Sequence, residues 1–186
     1  VSFQKKTLLN LVQKAENTKF GRDHRFSEIN NYSEFKKRVP VRNYEEFSSY
    51  IELVKEGGKN ILWPGKPVYF SKTSGTTSGE KYIPITKESI RFHIKAARDS
   101  ILCYINESKN SSIVNGKMIF LQGNPNLNNT NGILSGRLSG IVAHHVPFYL
   151  KNNRLPSLKT NCIDDWEKKL DMIVEETVCE KMTVIS

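Results

Sequence analysis

Apolar positions recur along this chain at two spacings, one helical and one extended, and the two alternate. Phe3, Leu8, Leu9, Leu11 and Val12 fall near helical spacing, which predicts an amphipathic helix over residues 2–16. Asn43-Tyr44-Glu45-Glu46 has the form of a capping box. The helix it opens carries Phe47, Tyr50, Ile51 and Val54 on one side and stops at Gly57-Gly58. Val68-Tyr69-Phe70 and the run from Lys81 to Ile85 predict two short strands, with the polar loop 71–80 between them. Residues 87–105 suit a long helix whose apolar side is Ile90, Ile94, Ala97, Ile101, Leu102 and Ile105. Lys117 to Leu121 reads as a buried strand, the Asn/Gly/Pro-rich stretch 123–132 as a loop, and residues 163–178 as another helix. The β-branched run Met182-Thr183-Val184-Ile185-Ser186 reads as a last strand with no sequence after it. Strands and helices interleave, so the fold class expected is α/β, with mixed sheets flanked by helices. With Val1 at the start and a strand at the end, residues 1–186 are expected to be a fragment of a longer fold.

Composition narrows the function classes. The 186 residues are 38% hydrophobic and 25% charged, which excludes a collagen-like, low-complexity or wholly disordered chain. No apolar run approaches the roughly 20 residues that cross a bilayer as a helix. Lys and Arg exceed Asp and Glu by 28 to 19, a net charge of +9 that fits either an anionic partner or an uneven cut from a longer, more balanced protein. Cys103, Cys162 and Cys179 are odd in number and far apart, and with no apolar leader at Val1 to Lys6 the expected compartment is reducing and cytoplasmic. His24, His93, His144 and His145 lack metal-ligand spacing with any cysteine, so no protein-held metal site is expected.

The segment richest in chemistry is Thr73-Ser74-Gly75-Thr76-Thr77-Ser78-Gly79-Glu80-Lys81. Glycines let backbone N–H groups approach phosphate oxygens, hydroxyls donate short hydrogen bonds, and a lysine adds mobile positive charge. By composition alone the same run also reads as a solvated Ser/Thr/Gly hairpin loop. The lysine after the second glycine favours phosphate. It is not a Walker A loop, since Glu80 precedes Lys81 and Tyr82 stands where the magnesium-binding hydroxyl belongs. It is not a dinucleotide fingerprint either, and each Gly-x-x-Ser-Gly run (75–79, 132–136, 136–140) misses the spacing of a serine-hydrolase elbow.

The run Phe70 to Thr86 resembles the phosphate-binding motif of adenylate-forming enzymes, and more narrowly that of the auxin-responsive acyl acid-amido synthetases (the Gretchen Hagen family), especially bacterial members. The resemblance extends to Phe20-Gly21-Arg22-Asp23-His24, Val39-Pro40-Val41-Arg42-Asn43-Tyr44-Glu45, Leu62-Trp63-Pro64-Gly65 and Leu134 to Ile141. It implies that residues 1–186 are the N-terminal portion of a large adenylation domain, with the remainder and a small mobile C-terminal domain elsewhere. It implies an ATP- and Mg2+-dependent ligase that adenylates a carboxylic acid, releases pyrophosphate and passes the acyl group to an amino acid's amine. The 186 residues alone are then expected to be inactive. Where plant members read Ser-Ser-Gly-Thr-Ser, this chain has Thr73-Ser74-Gly75-Thr76-Thr77, so a plant-hormone substrate does not follow.

On that reading Ser74, Thr76 and Thr77 are hydroxyl donors and Lys81 the counter-charge in the adenylation step. Thr73, Ser74, Gly75, Thr76, Thr77, Ser78, Gly79 and Lys81 line the nucleotide's phosphates. Arg98, on the long helix, is a weaker candidate for pairing with the acid's carboxylate. His144-His145, Arg137, Trp63, Phe70 and the cluster Arg22 to Arg25 read better as packing, turn or helix-end residues than as a site. A different class also fits the charge: a non-catalytic basic module for nucleic acid or an anionic surface, with Phe35-Lys36-Lys37-Arg38 as its best segment. Against it, the basic residues are scattered and no nucleic-acid-binding signature is present.

Overall fold

The structure is a computed structural model and describes residues 2–73 and 79–185. The chain opens on helix α1 (Ser2–Ala15), which buries Val12 and Ala15 against Phe26 and Ile29, with Leu8, Phe20, Phe35, Val39 and Trp63 packed around them. Thr18 turns the chain into α2 (Lys19–Asp23): its hydroxyl donates to the Ala15 carbonyl and accepts from the Gly21 N–H, a cap buried from solvent. Helix α3 (Tyr32–Arg38) is capped by Asn31. Helix α4 (Tyr44–Lys55) has the expected box, with the Asn43 side chain accepting from the Glu46 N–H and the Glu46 carboxylate accepting from the Asn43 N–H.

Two sheets follow. In the first, β1 (Tyr69–Lys72) pairs antiparallel with β2 (Tyr82–Ile85) and parallel with β5 (Ile133–Arg137), and β5 pairs antiparallel with β4 (Asn128–Thr130). The order is β2-β1-β5-β4. Phe70 and Ile133 meet Val54 of α4 on one face, joined by Ile61, Leu62 and Tyr82. On the other face, Ile85 and Tyr69 pack with Ile90 of α5 (Lys87–Ser108) and Ile141 of α6 (Leu138–Ala143). The second sheet is wholly parallel, in the order β6-β3-β7, with β3 (Lys117–Ile119) between β6 (Arg154–Leu155) and β7 (Met182–Ile185). Helices α7 (Leu158–Asn161) and α8 (Trp166–Thr177) form the crossover from β6 to β7.

The structure differs from the sequence expectation at several places: α2, α3, β6 and α7 were not expected, and the strand expected over 117–121 ends at Ile119 with Leu121 exposed. The expected loop 123–132 contains β4, because Asn131 and Gly132, at φ of +52° and +77°, turn the chain back so that Asn128–Thr130 pairs with β5. Residues 133–143 hold a strand and a helix where periodicity gave neither. Helix α5 is longer than expected and buries only Ile90 of its apolar side, with Leu102 exposed and Ile94, Ile101 and Ile105 half-buried.

Candidate functional site

The loop begins where β1 ends. Because β1 and β5 run parallel, their carboxyl ends lie side by side, and Lys72 has Tyr82 as its partner in β2 and Arg137 as its partner in β5. A backbone hydrogen bond from the Thr73 N–H to the Lys81 carbonyl, 3.0 Å, closes the loop's base. Gly79 has φ of +81° with open space where a side chain would stand, so glycine is used there for its backbone conformation. Of the expected phosphate-binding residues, Ser74, Gly75, Thr76, Thr77 and Ser78 lie outside the described residues.

The described rim is cationic and paired. The Lys81 ammonium stands 3.4 Å from the Glu45 carboxylate and over the Tyr44 ring. Lys72, which the motif alone does not single out, stands 3.1 Å from Glu80 and over the Tyr82 ring. Glu80 also accepts from the Tyr82 hydroxyl at 2.9 Å, and this bond, followed by Lys72, holds its pKa below the ordinary carboxylate value. Glu45 is held low chiefly by its own backbone N–H, in the first turn of α4, and then by Lys81. The same helix fixes β2: the Tyr44 hydroxyl accepts from the Tyr82 N–H at 2.8 Å. Position was the signal available in the sequence for these residues, since Lys72 directly precedes the loop and Tyr44-Glu45 sits in one of the upstream segments of resemblance.

Past the end of β5 lies a cleft of about 550 Å³ whose walls include Gln122, Arg137, Ser139, Asn161, Trp166 and Lys169. Lys169 is buried and donates to the Asn161 carbonyl at 2.9 Å. Asn161 Oδ1 and Gln122 Oε1 are buried here without a hydrogen-bond partner among the described residues. Such atoms suit a bound molecule or water carrying a donor. Arg98 is elsewhere: it is on the exposed side of α5, paired with Asp99 at 2.8 Å. Arg137 directly precedes α6, without a side-chain capping hydrogen bond, and lines the cleft.

Apart from Arg137, the residues read as structural have structural surroundings. Phe70 is in the core, and Trp63 packs on the first cluster while its indole N–H donates to Glu88. His24 is buried and stacked on Phe20. His144 contacts the Pro125 carbonyl, and His145 shares a hydrogen bond of 3.0 Å with the Tyr69 hydroxyl. Among the described residues no group of three or more His, Cys, Asp or Glu side chains could hold a metal ion.

Two sheets flanked by helices, with a Gly/Ser/Thr-rich segment following a strand, define a mixed α/β domain. The family model for the GH3 family N-terminal domain matches residues 1–179, and the chain belongs to the GH3 family. A probable indole-3-acetic acid-amido synthetase, GH3.13 of Oryza sativa subsp. japonica, is 41% identical over 58 residues, 30% of this chain and 12% of that protein. The indole-3-acetic acid-amido synthetase GH3.15 of Arabidopsis thaliana is 40% identical over 62 residues, 32% of this chain and 10% of that protein. Among solved structures, a GH3.15 acyl acid amido synthetase superposes with a TM-score of 0.70 at 20% identity, covering 91% of this chain. A second, AtGH3.15 in complex with 2,4-DB, superposes at 0.69 and 23% identity, covering 88%. At that identity the likeness establishes the fold. The chain spans 30% and 29% of the length of these two structures.

Proposed function

We propose that the protein carrying this chain is an ATP-dependent acyl acid-amido synthetase, with residues 1–186 forming the N-terminal portion of its adenylation domain. The observation that carries this reading is the placement of the Thr73–Lys81 segment. Its base is closed between two paired strands by Thr73 and Lys81, and Lys72 and Lys81 stand at its two ends. The relatives' names as amido synthetases support the same reaction class.

In the first step a carboxylate oxygen attacks the α-phosphorus of ATP, the bond to the bridging oxygen breaks, and pyrophosphate leaves with the acyl-adenylate formed. In the second, an amino acid's amine attacks the acyl carbon, the carbon–oxygen bond to AMP breaks, and the amine's proton passes to solvent. Negative charge grows on the departing pyrophosphate in the first step, and donors already aimed at it lower the barrier without reorganising. Ser74, Thr76 and Thr77 supply hydroxyls, Gly75 and Gly79 backbone N–H groups, and Lys81 a charge; Thr73 and Ser78 complete the donor set. This donor set fits a polyphosphate, and Mg2+ carried in with ATP would neutralise part of the same charge. The cleft beside Arg137 offers room for the acid or the amine, and Arg98 is a candidate for the acid's carboxylate if α5 walls its site. The free thiols of Cys103, Cys162 and Cys179 suit a reducing, cytoplasmic setting.

The test is exchange of labelled pyrophosphate into ATP by the full-length protein across a library of carboxylic acids. Exchange is expected only with a suitable acid and Mg2+, and removal of one transition-state donor is expected to cost about 3 kcal/mol of barrier. Exchange undiminished by Ser74→Ala together with Lys81→Ala would remove the assignment.

A further inference from the structure

We propose that Lys72 is a second polyphosphate-binding residue, parked on Glu80, and that Glu80 and Glu45 are counter-ions which release the loop's two lysines when polyphosphate arrives. This rests on the nucleotide reading of the loop and adds a residue and a loading step to it. Lys72 is the last residue of β1 and Lys81 directly precedes β2, so the two flank the loop on adjacent strands. Each is matched to one glutamate, Lys72 to Glu80 at 3.1 Å and Lys81 to Glu45 at 3.4 Å. Without ligand the lysine charges at the rim are thereby balanced.

Both pairs are built to part. Glu45 and Glu80 are about half exposed, and ion pairs in such settings hold weakly. Neither carboxylate is stranded when its lysine leaves. Glu80 keeps the Tyr82 hydroxyl at 2.9 Å, and Glu45 keeps its own backbone N–H at the start of α4. A multiply charged phosphate is a stronger partner for an ammonium than one solvated carboxylate. Lys72 is the more enclosed of the two lysines, its side chain 21% exposed against 31%, and it lies over the Tyr82 ring, which limits the directions its ammonium takes. Its β5 partner is Arg137, so the strand ends here carry further positive charge.

The experiment is calorimetric titration of the full-length protein with MgATP and, separately, with AMP, which lacks the two outer phosphates. Lys72→Met is expected to weaken MgATP about tenfold or more, as for a lost charged hydrogen bond, while leaving AMP unchanged. Lys72→Arg is expected to restore most of the loss, and Glu80→Gln to tighten MgATP. A thermal melt of Lys72→Met checks that it folds; if it does not, Lys72→Gln takes its place. MgATP and AMP affinities that fall together, or neither falling, would overturn the role of Lys72, and unaltered MgATP affinity in Glu80→Gln would overturn the counter-ion role. If Ser74→Ala and Lys81→Ala also leave MgATP binding untouched, the nucleotide reading of the loop fails as a whole. If they weaken it and Lys72→Met does not, only the second lysine is lost.

Discussion

The hydroxyl of Tyr44 holds both backbone polar groups of Tyr82, accepting from its N–H at 2.8 Å and lying 3.4 Å from its carbonyl oxygen. Strand β2 is at the sheet edge, and this contact supplies from a helix what a further strand would otherwise supply. It also fixes the first residue after Lys81. Tyr44→Phe is therefore expected to lower unfolding free energy by about 1–2 kcal/mol, measured by urea denaturation, through an orphaned N–H. An unchanged midpoint would show that water replaces the hydroxyl without cost.

Gly21 allows α1 and α2 to meet. A side-chain carbon there would stand 2.1 Å from the Ala15 carbonyl oxygen and 2.7 Å from that of Glu16, both backbone atoms. Gly21→Ala is expected to destabilise by about 1–3 kcal/mol or more, because the corner has to open. Its melting temperature checks this.

His145 gives a pH dependence of definite sign. Burial, with His144 adding to it, holds the imidazole's pKa below its ordinary value of 6.5. The unfolded chain then binds the proton more readily than the folded one. The stability contributed is present in full above pH 6.5 and is lost as pH falls from there through the folded value. Replacing the ring by His145→Asn is expected to flatten that part of the stability–pH curve, followed by chemical denaturation at stepped pH.

Glu176 acts at lower pH. Burial raises its pKa, but the Thr160 hydroxyl and the Ser157 N–H and hydroxyl outweigh this, and the net value is below 4.5. Its contribution is present above pH 4.5 and is lost as pH falls through the folded value. Glu176→Gln is expected to cost about 1–2 kcal/mol at neutral pH and to shift acid unfolding less steeply with pH.

Elements governed by local rules were legible in the sequence. The box at Asn43–Glu46, the stop at Gly57, the hairpin strands around the loop and the helices α1, α5 and α8 follow from spacing and capping. Strand β5 was not, because Ile133-Leu134-Ser135-Gly136-Arg137 carries a glycine and two polar residues, and its strand state comes from having β1 and β4 on either side. Strand β4, Asn-Asn-Thr, is extended only because Asn131-Gly132 folds it onto β5; that dipeptide was the available signal. The loop's residue types led to the expectation of phosphate chemistry, whereas the carboxylates paired with Lys72 and Lys81 come from Glu80 and from α4, a relation set by tertiary packing. The exposed length of α5 shows the reverse, a clear apolar side in the sequence of which Ile90 alone is buried.

The parallel pairing of β1 with β5 has a mechanical consequence. Lys72 and Arg137 are neighbouring rungs, so about 4.8 Å of backbone separates the strand that enters the loop from the strand that turns towards the cleft. A tilt of either strand would therefore carry Lys72 and Arg137 in concert.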